Sequence, residues 1–134
     1  MKNVILADES ITLPEFPEVK IVYGALTAKQ YRQAAAIKMR YAGEMSARFP
    51  EIKSLSVTGC PEWVDFLCRH GIRSISGLQT QEGDGGKPEP VFVAIEEGPY
   101  GPCITEESWD NIYPFLGSEV LVLALRILER SRTE

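Results

Sequence analysis

The residue types able to ligate a metal, or to serve as nucleophile and base, gather at Cys60, Cys68 and His70, with Cys103 further along. A structural zinc site takes four such ligands, with paired cysteines typically about two to four residues apart. Here seven residues separate Cys60 from Cys68. Cys68 and His70 stand two apart in a segment that reads as helix, so they point to different sides. The spacing argues for small buried cysteines and a histidine in the last turn of a helix. A Cys–His nucleophilic pair needs only hydrogen-bond reach in space and a third group to orient the base. Cys103 or Cys68 with His70 keeps a small enzyme open as one alternative, and the single histidine makes it simple to test.

Other chemistry-bearing patterns resolve into structure. Gly83-Asp84-Gly85-Gly86-Lys87-Pro88 approaches a phosphate loop, but that motif needs glycine where Gln81 stands and Ser or Thr where Pro88 stands. It reads as a flexible linker. The adjacent acids Glu96-Glu97 and Glu106-Glu107 lack the contrasting environments that split carboxylate pKa values for acid–base work. Solvation and the first turn of a helix account for them. Trp109, Tyr113 and Phe115 precede a strongly apolar segment, either as core or as the aromatic anchors that interfaces favour. No catalytic, cofactor or metal residue is assigned.

The elements that must position these residues are mostly helices. Thr27-Ala28-Lys29-Gln30 is a capping box, and no proline follows until Pro50, which predicts a helix from Ala28 to about Arg48. Its apolar stripe reads as Tyr31, Ala35, Ala42, Met45 and Phe49. Pro61 suits a first helical position and Gly71 a left-handed cap, bracketing a short helix with Trp63, Val64, Phe66 and Leu67. Thr105 caps a third helix, expected to stop at Pro114. Ser118 caps a last one, Glu119 to about Ser131.

Residues 1–26 read as an extended segment. Val19–Tyr23 is a strand and Val4–Leu6 a shorter candidate to pair with it, while Pro14 and Pro17 confine the chain between them to an edge. Ile72–Leu78 is a weak strand, residues 79–90 a mobile Gly/Pro loop, and Val91–Ile95 a buried strand followed by a turn at Gly98–Pro102. The fold class is α+β, predominantly helical, with three to four helices and a few short antiparallel strands in a single domain, 1–134.

In the last helix Val120, Leu121, Leu123, Ala124, Leu125, Ile127 and Leu128 cover an arc of about 200°, roughly twice what one core-facing stripe needs. Val122 lies outside even that arc. Such a helix is buried centrally or meets a partner. The expected partner interface is Trp109, Tyr113, Phe115, Val120, Leu121, Leu123, Ala124, Ile127 and Leu128.

Composition narrows the class of function. The 134 residues are 44% hydrophobic and 25% charged, ordinary for a globular chain long enough to bury a core. A formal net charge of −5 argues against binding nucleic acid by neutralising phosphates. No apolar run approaches ~18 residues, so no transmembrane helix is expected. Acid arrives too early in Met1–Glu9 for a signal peptide, and three cysteines suggest reduced thiols in a cytosolic compartment. Between Ala28 and Lys53 there are six basic and two acidic residues, whereas Glu82 to Glu119 holds nine acidic residues and only Lys87. These segments are complementary, either within one molecule or between neighbours, unless each is simply a solvated face.

The run Val19-Lys20-Ile21-Val22-Tyr23-Gly24-Ala25-Leu26-Thr27-Ala28-Lys29-Gln30-Tyr31-Arg32-Gln33-Ala34, a strand, then Leu-Thr, then a capped helix, resembles the opening of many small phage tail proteins. With the closing acidic and Leu-rich helices from Thr105 to Arg130, the order of parts resembles the tail assembly chaperones of long-tailed, lambda-like bacteriophages. The likeness covers about half the chain, and the segment from Pro50 to Pro102 stands outside it. The resemblance implies a non-enzymatic protein of the bacterial host cytoplasm that binds the tape measure protein and recruits tail tube protein. It implies self-association, no cofactor, and absence from the mature virion. Such families commonly add a longer product by ribosomal frameshifting. The alternatives are a structural neck or tail-end virion protein forming a ring, and a small host-directed phage interaction protein.

Overall fold

A computed structural model describes residues 8–14, 16–51, 60–78 and 93–131. The fold is α+β and predominantly helical. Among the described residues it has strands β1 (Glu9–Thr12), β2 (Lys20–Tyr23), β3 (Ile72–Ser76), β4 (Ile95–Gly98) and β5 (Gly101–Ile104). The helices are α1 (Ala28–Arg48), α2 (Pro61–Gly71), α3 (Glu106–Leu116) and α4 (Glu119–Ser131). One antiparallel sheet runs β1-β2-β3, and β4-β5 is a separate antiparallel hairpin.

β2 is the central strand because it alternates. Ile21 and Tyr23 are buried while Lys20 and Val22 look outward. Ile21 lies directly opposite Ile11 on one side and Ile75 on the other, an apolar row across the sheet. β1 takes the pairing position considered for Val4–Leu6, which lies outside the described residues. In β3, Ile72 and Ile75 are three apart, and a regular strand would put them on opposite faces. A bulge solves this. Val22 pairs with Ser74 and Tyr23 with Ile72, so Arg73 has no residue opposite and both isoleucines face the core. The Arg73 guanidinium donates from Nη1 to the His70 carbonyl at 2.8 Å and from Nη2 to the Ala25 carbonyl at 2.6 Å.

α1 has the predicted bounds and the predicted capping box, with Gln30 N–H donating to Thr27 Oγ1 and Thr27 N–H donating to Gln30 Oε1 at 2.9 Å. Its buried face is rotated by about one residue from the expected stripe. Gln30, Ala34 and Ile37 are buried and Tyr41 and Met45 half-buried, whereas Ala35, Ala42 and Phe49 are exposed. Gln30 decides the rotation. Its Oε1 is held by the cap, and its Nε2 donates to the Tyr100 carbonyl at 3.0 Å, so a polar side chain 2% exposed is satisfied.

α2 is the central helix, with Trp63, Leu67 and Cys68 among the most buried side chains. It packs on α4, α1, β5 and β3. Pro61 occupies its first turn as expected, but Gly71 is its last helical residue, not a left-handed cap. A Cβ at Gly71 would lie 2.5 Å from Ile127 Cγ2, so the glycine is there to let α2 meet α4 closely.

Two further expectations move. Of the strand expected over Val91–Ile95, Val91 and Phe92 lie outside the described residues, Val93 and Ala94 precede the pairing, and the strand begins at Ile95 and runs to Gly98 on the exposed surface. The tight turn sets this register, since Gly98 pairs with Gly101, whose φ of 103° suits glycine alone. α3 passes through Pro114 and ends at Leu116. Pro114 is exposed and near the helix end, Leu116 is anchored in the core, and Gly117 at φ 53° donates its N–H to the Tyr113 carbonyl. The chain then turns by 113° into α4. The loop expected at residues 79–90 lies outside the described residues.

Candidate interaction surface

α4 divides lengthwise. Val120, Leu123, Ala124 and Ile127 are buried, the last three completely, and face α2 and the body of the molecule. Leu121, Val122 and Leu125 are 36%, 39% and 44% exposed and form a strip on the opposite side. Helical geometry requires this, since residues at spacings of three and four share a face and a 200° arc exceeds what one side of a helix can bury. Leu128 sits at the border, half-buried beside Tyr31, Ala34, Ala35, Lys38 and Trp63.

The expected interface residues therefore separate. Trp109, Val120, Leu123, Ala124 and Ile127 belong to the core and are covered by the chain's own packing. Tyr113, 45% exposed, and Leu121 come together and line a cavity of about 160 Å³ with Pro61, Val64 and Asp65. Tyr113 is held edge-on to Trp109, with ring centroids 5.7 Å apart. Phe115 points elsewhere, into a cavity of about 440 Å³ with Leu13, Pro14, Phe16 and Pro114. Leu125 and Val122 were not among the expected residues. The signal for Leu125 was its place four residues after Leu121.

Polar contacts fix the far end of α4. The two oxygens of Glu9 accept from the Tyr23 hydroxyl at 2.7 Å and from Arg130 Nη1 at 2.6 Å, joining β1, β2 and α4. Burial pushes the Tyr23 hydroxyl above its usual pKa, and Arg126 works against that. Ser131 Oγ accepts from the Leu26 N–H at 2.8 Å and donates to the Ile127 carbonyl at 2.6 Å. The exposed strip thus sits on a helix anchored at its end.

Cys60, Cys68, Cys103 and His70 are all buried. His70 commits Nδ1 to the Phe66 carbonyl at 2.8 Å and packs its ring on Phe66. Burial pushes the His70 pKa down. The Cys68 thiol donates to the Val120 carbonyl at 3.5 Å, and burial drives its pKa far up. Cys103, opposite Glu96 in the hairpin, is also pushed up by burial. A nucleophilic thiol needs the opposite shift. Among the described residues no group of His, Cys, Asp or Glu is arranged to hold a metal ion.

Burial also raises the pKa of Asp65, against the pull of the nearby Trp109 indole N–H. That N–H is buried and makes no hydrogen bond of good geometry. No single helix among the described residues is long and apolar enough to cross a membrane.

Comparison with family models, with curated proteins and with solved structures finds no match.

Proposed function

We propose that this chain is a non-enzymatic tail assembly chaperone of a long-tailed bacteriophage. It binds the helical tape measure protein in the bacterial host cytoplasm, recruits tail tube subunits, and leaves before the virion matures. The observation that carries the reading is the exposed strip Leu121, Val122 and Leu125 on α4, opposite the face the core takes, with Tyr113 and Leu121 lining the adjoining cleft. An amphipathic helix can lay its apolar face along such a strip. A long helical partner offers many repeats of that contact, and linked weak contacts add up to avidity. The order of strand, capped helix and closing helix pair, from which the resemblance was drawn, supports the same reading.

The test is capture of the tape measure protein by the purified chain and by Leu121→Glu/Leu125→Glu. Both leucines are exposed, so the variant keeps its fold by circular dichroism and loses capture. A folded double variant that binds like the wild type overturns the assignment of this surface. Ile127 is fully buried, and a charge there would unfold the protein without probing binding.

A further inference from the structure

We propose that the acidic face of α3, with the cleft it shares with α2 and α4, docks the basic outer face of α1 from a second copy of this chain. The contact is head-to-tail, and it is a property of the purified chain that needs no phage partner.

The two faces are complementary in charge and in apolar content. Between residues 93 and 119 there are six acids and no basic residue. Glu106, Asp110 and Tyr113 follow at spacings of four and three, so they share one exposed face of α3 that leads into the cleft beside Asp65 and Leu121. α1 carries Lys29, Arg32, Lys38, Arg40 and Arg48 against Glu44 alone. Beyond Ile37 its only partly buried residues are Tyr41 and Met45, so its second half stands out from the body. Met39, 74% exposed, stands seven residues after Arg32 and so shares its outward face, an apolar knob in line with a cation. The cleft, about 160 Å³ and lined by Tyr113, Leu121 and Val64, has room for one such side chain.

Among the described residues the complementarity is not spent within the molecule. Arg40 pairs with Glu62 on α2, and no ion pair among the described residues joins an α1 cation to an acid between 93 and 119. Distinct donor and acceptor faces on one chain make a heterologous contact, which grows into rings or open chains. Leu121 lies where the two surfaces meet, so a second copy and a partner helix exclude one another there.

The test is light scattering over a concentration series for three proteins: wild type, Lys29→Glu/Arg32→Glu, and Glu106→Lys/Asp110→Lys. All four positions are exposed, so the folds are kept. The wild type is expected to rise above the 14.9 kDa of one chain at low salt and to return to it at about 1 M salt, where screening is nearly complete. Each charge-reversed protein alone associates at least about tenfold more weakly. Mixed in equal amounts they associate again, because one supplies the acidic face and the other the basic one. A wild type that is monomeric throughout overturns the proposal. So does association untouched by either reversal, as expected of a symmetric contact through the α4 strip, or a mixture that stays monomeric.

Discussion

Two helical glycines are predicted to respond in opposite directions to the same substitution. At Gly71, where α2 meets α4, an added Cβ would stand 2.5, 2.6 and 2.8 Å from Cγ2, Cδ1 and Cγ1 of Ile127. Ile127 is fully buried, so it has nowhere to retreat. Overpacking of this kind costs about 1–3 kcal/mol. The gain in helix propensity from Gly to Ala is at most about 1 kcal/mol, and less at a helix end. Gly71→Ala should therefore destabilise the protein by about 1–2 kcal/mol. Gly43, inside α1, has nothing within 4 Å of an added Cβ. Gly43→Ala keeps the propensity gain alone and should stabilise by about 0.5–1 kcal/mol. Urea unfolding of the two variants reads both signs. In an Ile127→Ala background the cost of Gly71→Ala should largely vanish, a coupling that a double-mutant cycle isolates. A Gly71→Ala protein at least as stable as the wild type, with Ile127 intact, refutes the close-approach argument.

Gln30→Leu should lose about 2–3 kcal/mol, from two hydrogen bonds and from the Tyr100 carbonyl and Thr27 N–H left without their partner. Amide exchange should then accelerate in the β4-β5 hairpin as well as in the first turn of α1, and loss confined to the helix would contradict the link. His70 has a folded-state pKa below its ordinary 6.5, so its contribution to stability is full above that value and is lost as pH falls through the folded pKa. Since it is the only histidine, His70→Gln should flatten the change in unfolding midpoint between about pH 7.5 and 5.5. An unchanged profile would place the titration elsewhere.

Helix positions were legible because local signals specify them. Thr27 with Gln30, Pro61, and Thr105 write the helix starts into neighbouring residues. Which way a helix faces was less legible. Apolar residues alone point to a neighbouring stripe on α1, and the residue that sets its rotation is an amide whose partner is 70 positions away. The same limit applied to β3, where the Ile72–Ile75 spacing contradicts a strand until the bulge at Arg73 is seen. The Gly71 cap failed for the complementary reason: a glycine after a histidine signals a turn locally, and only the packing of Ile127 reveals the second use. For the candidate surface, the excess apolar arc on α4 was visible in sequence. Which half of it the core takes depends on α2, which no local pattern encodes.

On the function proposed above, this chain holds a tape measure protein in solution through α4 and the adjoining cleft. Size-exclusion chromatography with light scattering, on this chain co-expressed with the tape measure protein of the same genome, tests it most directly. The two are expected to co-elute as a soluble complex of higher mass than either alone. A chain that elutes by itself while the tape measure protein is insoluble or separate would contradict it.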